Sequence, residues 1–385
     1  MQAYRPTSFT NESEMQQFLE FLFLKIKCGM NYPLGLDDRN PFWRSVMILT
    51  PRFDYLRYAL LTVSCNVMEL HCRCSEWGPY RRKYMDACMQ SLITKISSYE
   101  TSDEISTLFA TVMILYSDRS ASSSNKWRLH LRGALELLRA RVPEVPGTDD
   151  LFGVLRSWFS MAETLAWMSS PNGGTVSYEF ASEILDDSPY AYYVDGLVVD
   201  GFNTFKCFSQ RLVPYFSRAT IQIIQLKTLS RPIDEELCWQ MLSEVRALQD
   251  EQFGLTAVKD PTVQRFMRLS SKLHCMALEL YILVILLRQD IASEQVQQIT
   301  NQVLALLGQV PLFEALGIVV HWVIFMAGRS CITIEQRGVV EAKLGEIINV
   351  GVLVARNSLH RLHRYWDNYD DGLDPELNDM DSIAF

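Results

Sequence analysis

The residues of this chain whose spacing could first suggest chemistry are histidines and cysteines. His71-Cys72-Arg73-Cys74 sets two thiols and an imidazole in one short stretch. Zinc takes four such ligands, usually through a Cys-x-x-Cys pair answered by a second pair. No Cys-x-x-Cys occurs in the sequence. The stretch therefore reads as the end of a helix. His360 and His363 stand three apart and could share a metal on one helical face. Arg361 and Arg364 surround them and no third ligand is evident, so a solvated basic face is the better reading. No metal centre is expected.

Acids and glycines give equally little. Asp370-Asp371-Gly372-Leu373-Asp374 has the D-D-x-x-D spacing that class I terpene cyclases use to hold magnesium on a diphosphate. That motif belongs in the first half of such an enzyme, paired with a second cluster of the N-D-x-x-S-x-x-x-E type. Here it lies in an acidic tail with no second cluster behind it, and it reads as an accident of composition. Pro171-Asn172-Gly173-Gly174-Thr175 lacks the lysine and the following helix of a phosphate loop and reads as a turn. No G-x-G-x-x-G and no G-x-S-x-G is present.

What remains is a pocket built from aromatic and imidazole groups. His274 in "KLHCMALELY" and His321 in "VVHWVIF" both fall inside strongly apolar helical patterns. A histidine so placed is either a satisfied core residue or a polar handle in a ligand pocket. Trp167, His274, Tyr281, His321, Trp322 and Phe325 are the candidate effector-pocket residues. No catalytic residue is assigned.

The elements that must position these residues are helices. Apolar residues recur every three or four positions almost everywhere, and strand-like alternation is rare. A first helix is expected over 11–27, with Phe18, Leu19, Leu22, Phe23 and Ile26 on one face. Others follow over 54–71, after Pro79, over 105–116 and over 126–141. The stretch 178–200 reads as loop-rich. Four more helices are expected near 205–228, 235–249, 263–288 and 293–307. An apolar helix over 315–326 and one long last helix, with Val340 to Trp366 in register, complete the chain. The fold class is all-α: a single large multi-helix domain of antiparallel packed helices. Residues 1–10 form a polar segment, 11–366 the helical domain, and 367–385 an acidic C-terminal tail.

Two stretches have distinctive charge. Lys126–Arg141 is basic; on a helix, Trp127, Leu131, Ala134, Leu135 and Leu138 line one face. Arg128, Arg132, Glu136 and Arg139 fall largely on the other, which reads as solvated, with Arg132 and Glu136 four apart and able to pair. Gly133 leaves room for a neighbouring helix. The last twenty residues carry seven acids and no Lys or Arg, interleaved with Leu373, Leu377, Met380, Ile383 and Phe385. That mixture is found in disordered activation segments, and also in ordinary solvated tails. The solvated tail is the expectation.

Bulk properties exclude whole classes of function. The net charge is −9, which disfavours DNA binding by the chain's own bulk charge. Nine scattered cysteines, mostly in apolar helical patterns, suit reduced buried thiols in a nuclear or cytoplasmic protein. The first ten residues do not read as a signal peptide. The apolar runs "MALELYILVILL" and "ALGIVVHWVIFMAG" are each shorter than the roughly 18 residues a membrane span needs. A secreted or membrane-spanning protein is not expected.

The ordered set of helical segments carries a family resemblance. "ISTLFATVMILYSDRSASSSNKWRLHLRGALELLRAR" resembles the regulatory, middle-homology region of fungal-specific transcription factors of the zinc binuclear cluster class. There, an apolar helix and a polar loop precede a "W..HLRGA..LL" helix. Trp127, His130, Leu131, Arg132, Gly133 and Ala134 stand at matching positions. "NPFWRSVMILTPRFDYLRYALLTVSC", "LRSWFSMAETLAWMSS", "SSKLHCMALELYILVILL", "VHWVIFMAGRSCITIEQR" and "NSLHRLHRYWD" are similar to further segments in the same order, so the resemblance spans about residues 15–367.

The resemblance implies an all-helical domain that holds a small effector and contacts partner proteins, in a role tied to transcription and to a biosynthetic pathway of secondary metabolism. Such families place a six-cysteine zinc cluster ahead of this region, and none precedes it here. The expectation is a regulator-like protein without its own DNA reader. Its expected partners are a small apolar metabolite or a regulatory protein, a homodimer being one such assembly, and neither nucleic acid nor membrane. No cofactor is expected. The alternative is an unconventional enzyme on the same fold, such as a magnesium-dependent sesquiterpene cyclase acting on farnesyl diphosphate. It would draw on Asp186, Asp187, Lys227 and Arg288, which nothing in the spacing selects.

Overall fold

A computed structural model of the chain describes residues 11–23, 41–72, 76–98, 102–120, 126–141, 150–251, 253, 258, 260–310, 319–349, 352, 354–377 and 379–384. Helices dominate, as the periodicity predicts. The first group is α1 (Glu12–Leu22), α2 (Pro41–Leu49), α3 (Asp54–Cys72), α4 (Trp77–Ile96), α5 (Ser102–Ser120), α6 (Trp127–Arg141) and α7 (Asp150–Ser169). Asn11 starts α1 by accepting a hydrogen bond from the Glu14 amide at 2.9 Å, which satisfies one of the orphan donors of the first turn. The helix α3 packs on α1, α4 and α5, and α5 in turn packs on α6 and α7. Val112 of α5 faces Gly133 of α6 at ordinary contact distance.

The loop-rich middle holds more order than its sequence suggests. It contains α8 (Tyr178–Leu185), α9 (Ser188–Ala191) and a small antiparallel sheet of β1 (Val198–Val199), β2 (Phe202–Asn203) and β3 (Phe208–Ser209). Asn203 organises the β2–β3 turn: its side-chain oxygen accepts from the amides of Phe205 and Lys206 at 3.1 and 2.8 Å. The helix expected from residue 205 therefore begins only at Val213, as α10 (Val213–Leu229).

The second group is α11 (Glu235–Leu248), α12 (Pro261–Tyr281), α13 (Glu294–Leu307), α14 (His321–Arg329), α15 (Ile334–Asn349) and α16 (Val354–Asp370). The single long last helix expected over 340–366 is thus two. Arg337 pairs with Asp370, and Glu341 with His363, so α15 and α16 run antiparallel. Gly328 of α14 is where three helices meet. A β-carbon there would lie 2.6 Å from Leu362 of α16 and 3.1 Å from Val340 of α15.

Helix α12 is the core helix of this half. Every residue from Leu269 to Tyr281 but Lys272 is buried, including the polar Ser270, Ser271, His274 and Glu279. It runs on through one π-type turn, Ile282–Leu286. Taken as one unit, Pro261–Leu286 is long and apolar enough to cross a membrane, which the shorter apolar run inside it is not; 78% of its most apolar window is buried within the protein. Its apolar surface is spent on the core. Cys65, Cys88, Cys207, Cys238, Cys275 and Cys331 are buried thiols.

Candidate functional site

The aromatic candidates lie on two connected levels. On the inner level, His274 stacks obliquely on Phe208, with ring centres 4.9 Å apart. Phe208 stacks on Phe216 at 5.1 Å, and Phe216 meets the edge of Trp322 at 5.2 Å. Tyr281 stands 6.4 Å from Trp322. The sequence candidates His274, Tyr281 and Trp322 thus belong to one aromatic chain, joined by Phe208 and Phe216, which sequence reasoning missed. The Trp322 indole N–H is buried without a hydrogen-bond partner. His321 points elsewhere: its Nε2 lies 2.9 Å from Ser358 Oγ of α16.

Burial sets the protonation of this level. It pushes His274 down to about 4, although backbone hydrogen bonds at Ser270 and Val319 pull the other way. Nδ1 lies 2.8 Å from the Ser270 carbonyl and donates to it, as a neutral imidazole can. Burial likewise raises the Tyr281 phenol, opposed by the positive charge of Arg329.

The outer level is a set of cations that converge from four helices. Arg128 comes from the first turn of α6, Lys227 from the end of α10, Arg329 from the end of α14 and Arg361 from the middle of α16. Phe325 and Trp167 lie on this outer level, Phe325 against a cation and Trp167 against a turn that a cation binds. The Arg361 guanidinium lies over the Phe325 ring at 4.7 Å. Trp167 packs beneath the Gly173–Gly174 turn so closely that a β-carbon on Gly173 would sit 2.3 Å from its ring. The turn itself is tied down by buried Glu163, which accepts from the amides of Thr175 and Val176 at 2.7 and 3.1 Å. What the sequence shows as a glycine-rich turn is a cradle of amides already filled by the protein's own carboxylate.

Arg128 binds that same turn. Its Nη2 donates to Ser170 Oγ at 2.7 Å and to the Gly173 carbonyl at 2.6 Å. The residue is buried, whereas the helical wheel sets it on the solvated face. The reason is the acidic segment at the end of the chain. Asp381 takes both terminal nitrogens of Arg128. Asp379 takes Nε of Arg361 at 2.8 Å and also its Nη2. Glu376 pairs with Arg329. Ser382, Ile383 and Ala384 are buried behind these pairs, with the Ala384 amide donating to Ser169 Oγ at 3.0 Å. Residues 379–384 are not a solvated tail but are folded onto the cations, whereas 371–374, 376 and 377 stay exposed.

Lys227 is the member of the group that pairs with no carboxylate among the described residues: it donates to the carbonyls of Ser170 and Pro171, at 3.2 and 3.1 Å. Although the residue is exposed, its ammonium group is crowded by protein, and that desolvation together with Arg329, Arg361 and Arg128 lowers it to about 8. Burial works to raise the Asp381 carboxyl, but hydrogen bonds from Arg128, Ser170 and Asn172 outweigh it and hold it below the usual range.

The other sequence candidates are engaged separately. Asp187 is buried in an ion pair with Lys206. Asp186 accepts from the Ser188 amide at 3.0 Å, and Arg288 is exposed. Asp370 of the D-D-x-x-D stretch is held by Arg337. Glu136 is taken by Arg139, three residues on, in place of the expected Arg132. His363 faces Glu341 on the surface, and Cys74 lies outside the described residues. Among the described residues no group of three His, Cys, Asp or Glu could hold a metal ion.

A family model described as the fungal-specific transcription factor domain matches residues 21–379. No curated protein and no solved structure matches the chain.

Proposed function

The chain belongs to the fungal-specific transcription factor domain family, and from that premise we propose that it acts as an effector- and partner-binding module of transcriptional control. A transcription-regulator-like role accompanies the family. The finer reading is that a small molecule settles against the aromatic level and is sensed through the cations above it. The observation that supports it is the Phe325 ring lying under Arg361, one of four cationic side chains gathered from four separate helices. Buried charges cost about as much desolvation as their pairing returns, so a purely structural joint would be served as well by apolar residues. DNA reading is assigned to another module or chain, and the place of work to the nucleus.

A thermal-shift screen of small metabolites, followed on the Trp167 and Trp322 fluorescence, tests this. The expected result is a compound that raises the melting point of the native chain and has no such effect on Phe325→Leu. Stabilisation that survives both Phe325→Leu and Trp322→Phe unchanged would place the binding elsewhere and overturn the reading.

A further inference from the structure

We propose that the cationic cluster of Arg128, Lys227, Arg329 and Arg361 is a binding site for a small molecule carrying two oxyanion groups, and that the segment 379–384 occupies it as a displaceable internal ligand. This rests on the effector reading above and names the class of effector. Each buried guanidinium offers a two-nitrogen fork to one carboxylate: Arg128 to Asp381, Arg361 to Asp379. Planar forks of this kind recognise carboxylate and phosphate oxygens in the same geometry. The two forks are supplied by different helices and brought side by side, so they hold two anionic groups at once.

The segment has the character of a ligand. Its described residues between Asp371 and Ala384 form no helix or strand. It reaches the body through the carboxylates of Glu376, Asp379 and Asp381 and through buried Ser382 to Ala384. Lys227 pairs with no carboxylate among the described residues, and, being exposed, it marks the side from which a soluble anion enters. Arg361 lies at 2% side-chain exposure and Arg128 at 11%, so the forks suit a narrow ligand that slides in as the segment leaves.

The consequence is competition. A ligand that needs the forks must displace Asp379 and Asp381, and its apparent affinity is reduced by the fraction of molecules in which they stay docked. Inorganic pyrophosphate and citrate represent the phosphate and carboxylate sources of the same chemistry.

The experiment is calorimetric titration of the full chain with each anion at fixed ionic strength, beside hydrogen exchange over 379–384. The Asp379→Asn/Asp381→Asn variant is expected to bind at least one of the two about tenfold more tightly than the native chain. Adding Arg361→Gln to that variant is expected to abolish binding. In the native chain, saturating anion is expected to speed exchange at Ser382 to Ala384. Which anion binds decides the source; binding of both makes paired oxyanions the whole requirement. Exchange at 382–384 that stays unchanged under both anions overturns the proposal, and that arm needs no variant to fold. If a neutral metabolite stabilises the protein through Phe325 while neither anion binds, the oxyanion inference fails and the effector reading stands. If no compound of any charge binds, both fail.

Discussion

Arg361 and Phe325 are in face contact, the guanidinium carbon 4.7 Å from the ring centre, while the same guanidinium grips Asp379. One side chain therefore joins the aromatic core to the acidic segment. Its Nη1 and Nη2 also donate to the carbonyls of Ser382 and Ser169 at 2.9 and 2.7 Å.

Removing one partner of such a pair leaves the other charge buried. Arg361→Leu is expected to lower the unfolding free energy by about 3–5 kcal/mol. Arg361→Leu/Asp379→Leu is expected to recover much of that, because no orphan charge remains. Asp370→Asn, which breaks the more exposed pair with Arg337, is expected to cost less than about 1 kcal/mol. Chemical denaturation of the four proteins checks the order. Equal losses at the two arginine sites would mean that the segment is not docked in solution.

Gly328 carries a second prediction. A β-carbon there meets Leu362 at 2.6 Å, and Leu362 is itself buried. Gly328→Ala is expected to destabilise by about 1–3 kcal/mol through overpacking. Leu362→Ala should relieve the clash, so the double variant is less destabilised than the sum of the two single variants. Strict additivity in a double-mutant cycle would show that α14 and α16 are not in contact.

His274 makes stability depend on pH. Its folded pKa of about 4 lies below the usual 6.5. Between those values the unfolded chain binds a proton that the folded chain refuses. Stability therefore falls as pH drops through that window and is regained as pH rises above it. The full effect is roughly 3 kcal/mol. His274→Phe is expected to flatten the profile between pH 6.5 and 4, as read from denaturation midpoints. A profile unchanged by the substitution assigns the dependence to another group.

The helices were legible because their apolar spacing is local. Trp127, Leu131, Ala134, Leu135 and Leu138 are all buried, as their spacing predicts. The all-α class follows from the same signal repeated along the chain. Arg128 was not legible, because its partner Asp381 lies 253 residues away and no local period reports such a contact. The acidic segment showed its composition but not its direction. Acids among apolar residues read as solvated until arginines on α6, α14 and α16 are known to face them. Of the aromatic candidates, His274, Tyr281 and Trp322 share one chain of rings, since each lies on the inner face of an apolar helix. Phe208 escaped notice because its strand is two residues long and breaks the helical pattern; Phe216 lies in α10, where its spacing is that of any buried apolar residue.

Lys227 offers the most direct chemical reading of the cluster. Desolvation first, then Arg329, Arg361 and Arg128, bring its ammonium down to about 8. An amine that is partly neutral near that pH, on a residue open to solvent, acylates ahead of lysines that stay fully charged there. A limiting amount of an acylating reagent is therefore expected to modify Lys227 first, with a rate that rises to a midpoint near pH 8. Arg329 is the strongest of the neighbouring charges, so Arg329→Gln should move that midpoint upward. Asp379 opposes them by favouring the charged ammonium, so Asp379→Asn should move it down. Peptide mass spectrometry across a pH series reads both shifts. Opposite signs for the two variants are the signature of a lysine titrating inside the cluster. A midpoint that moves with neither would show that Lys227 stands apart from the arginines and is not a cation the cluster can offer a ligand.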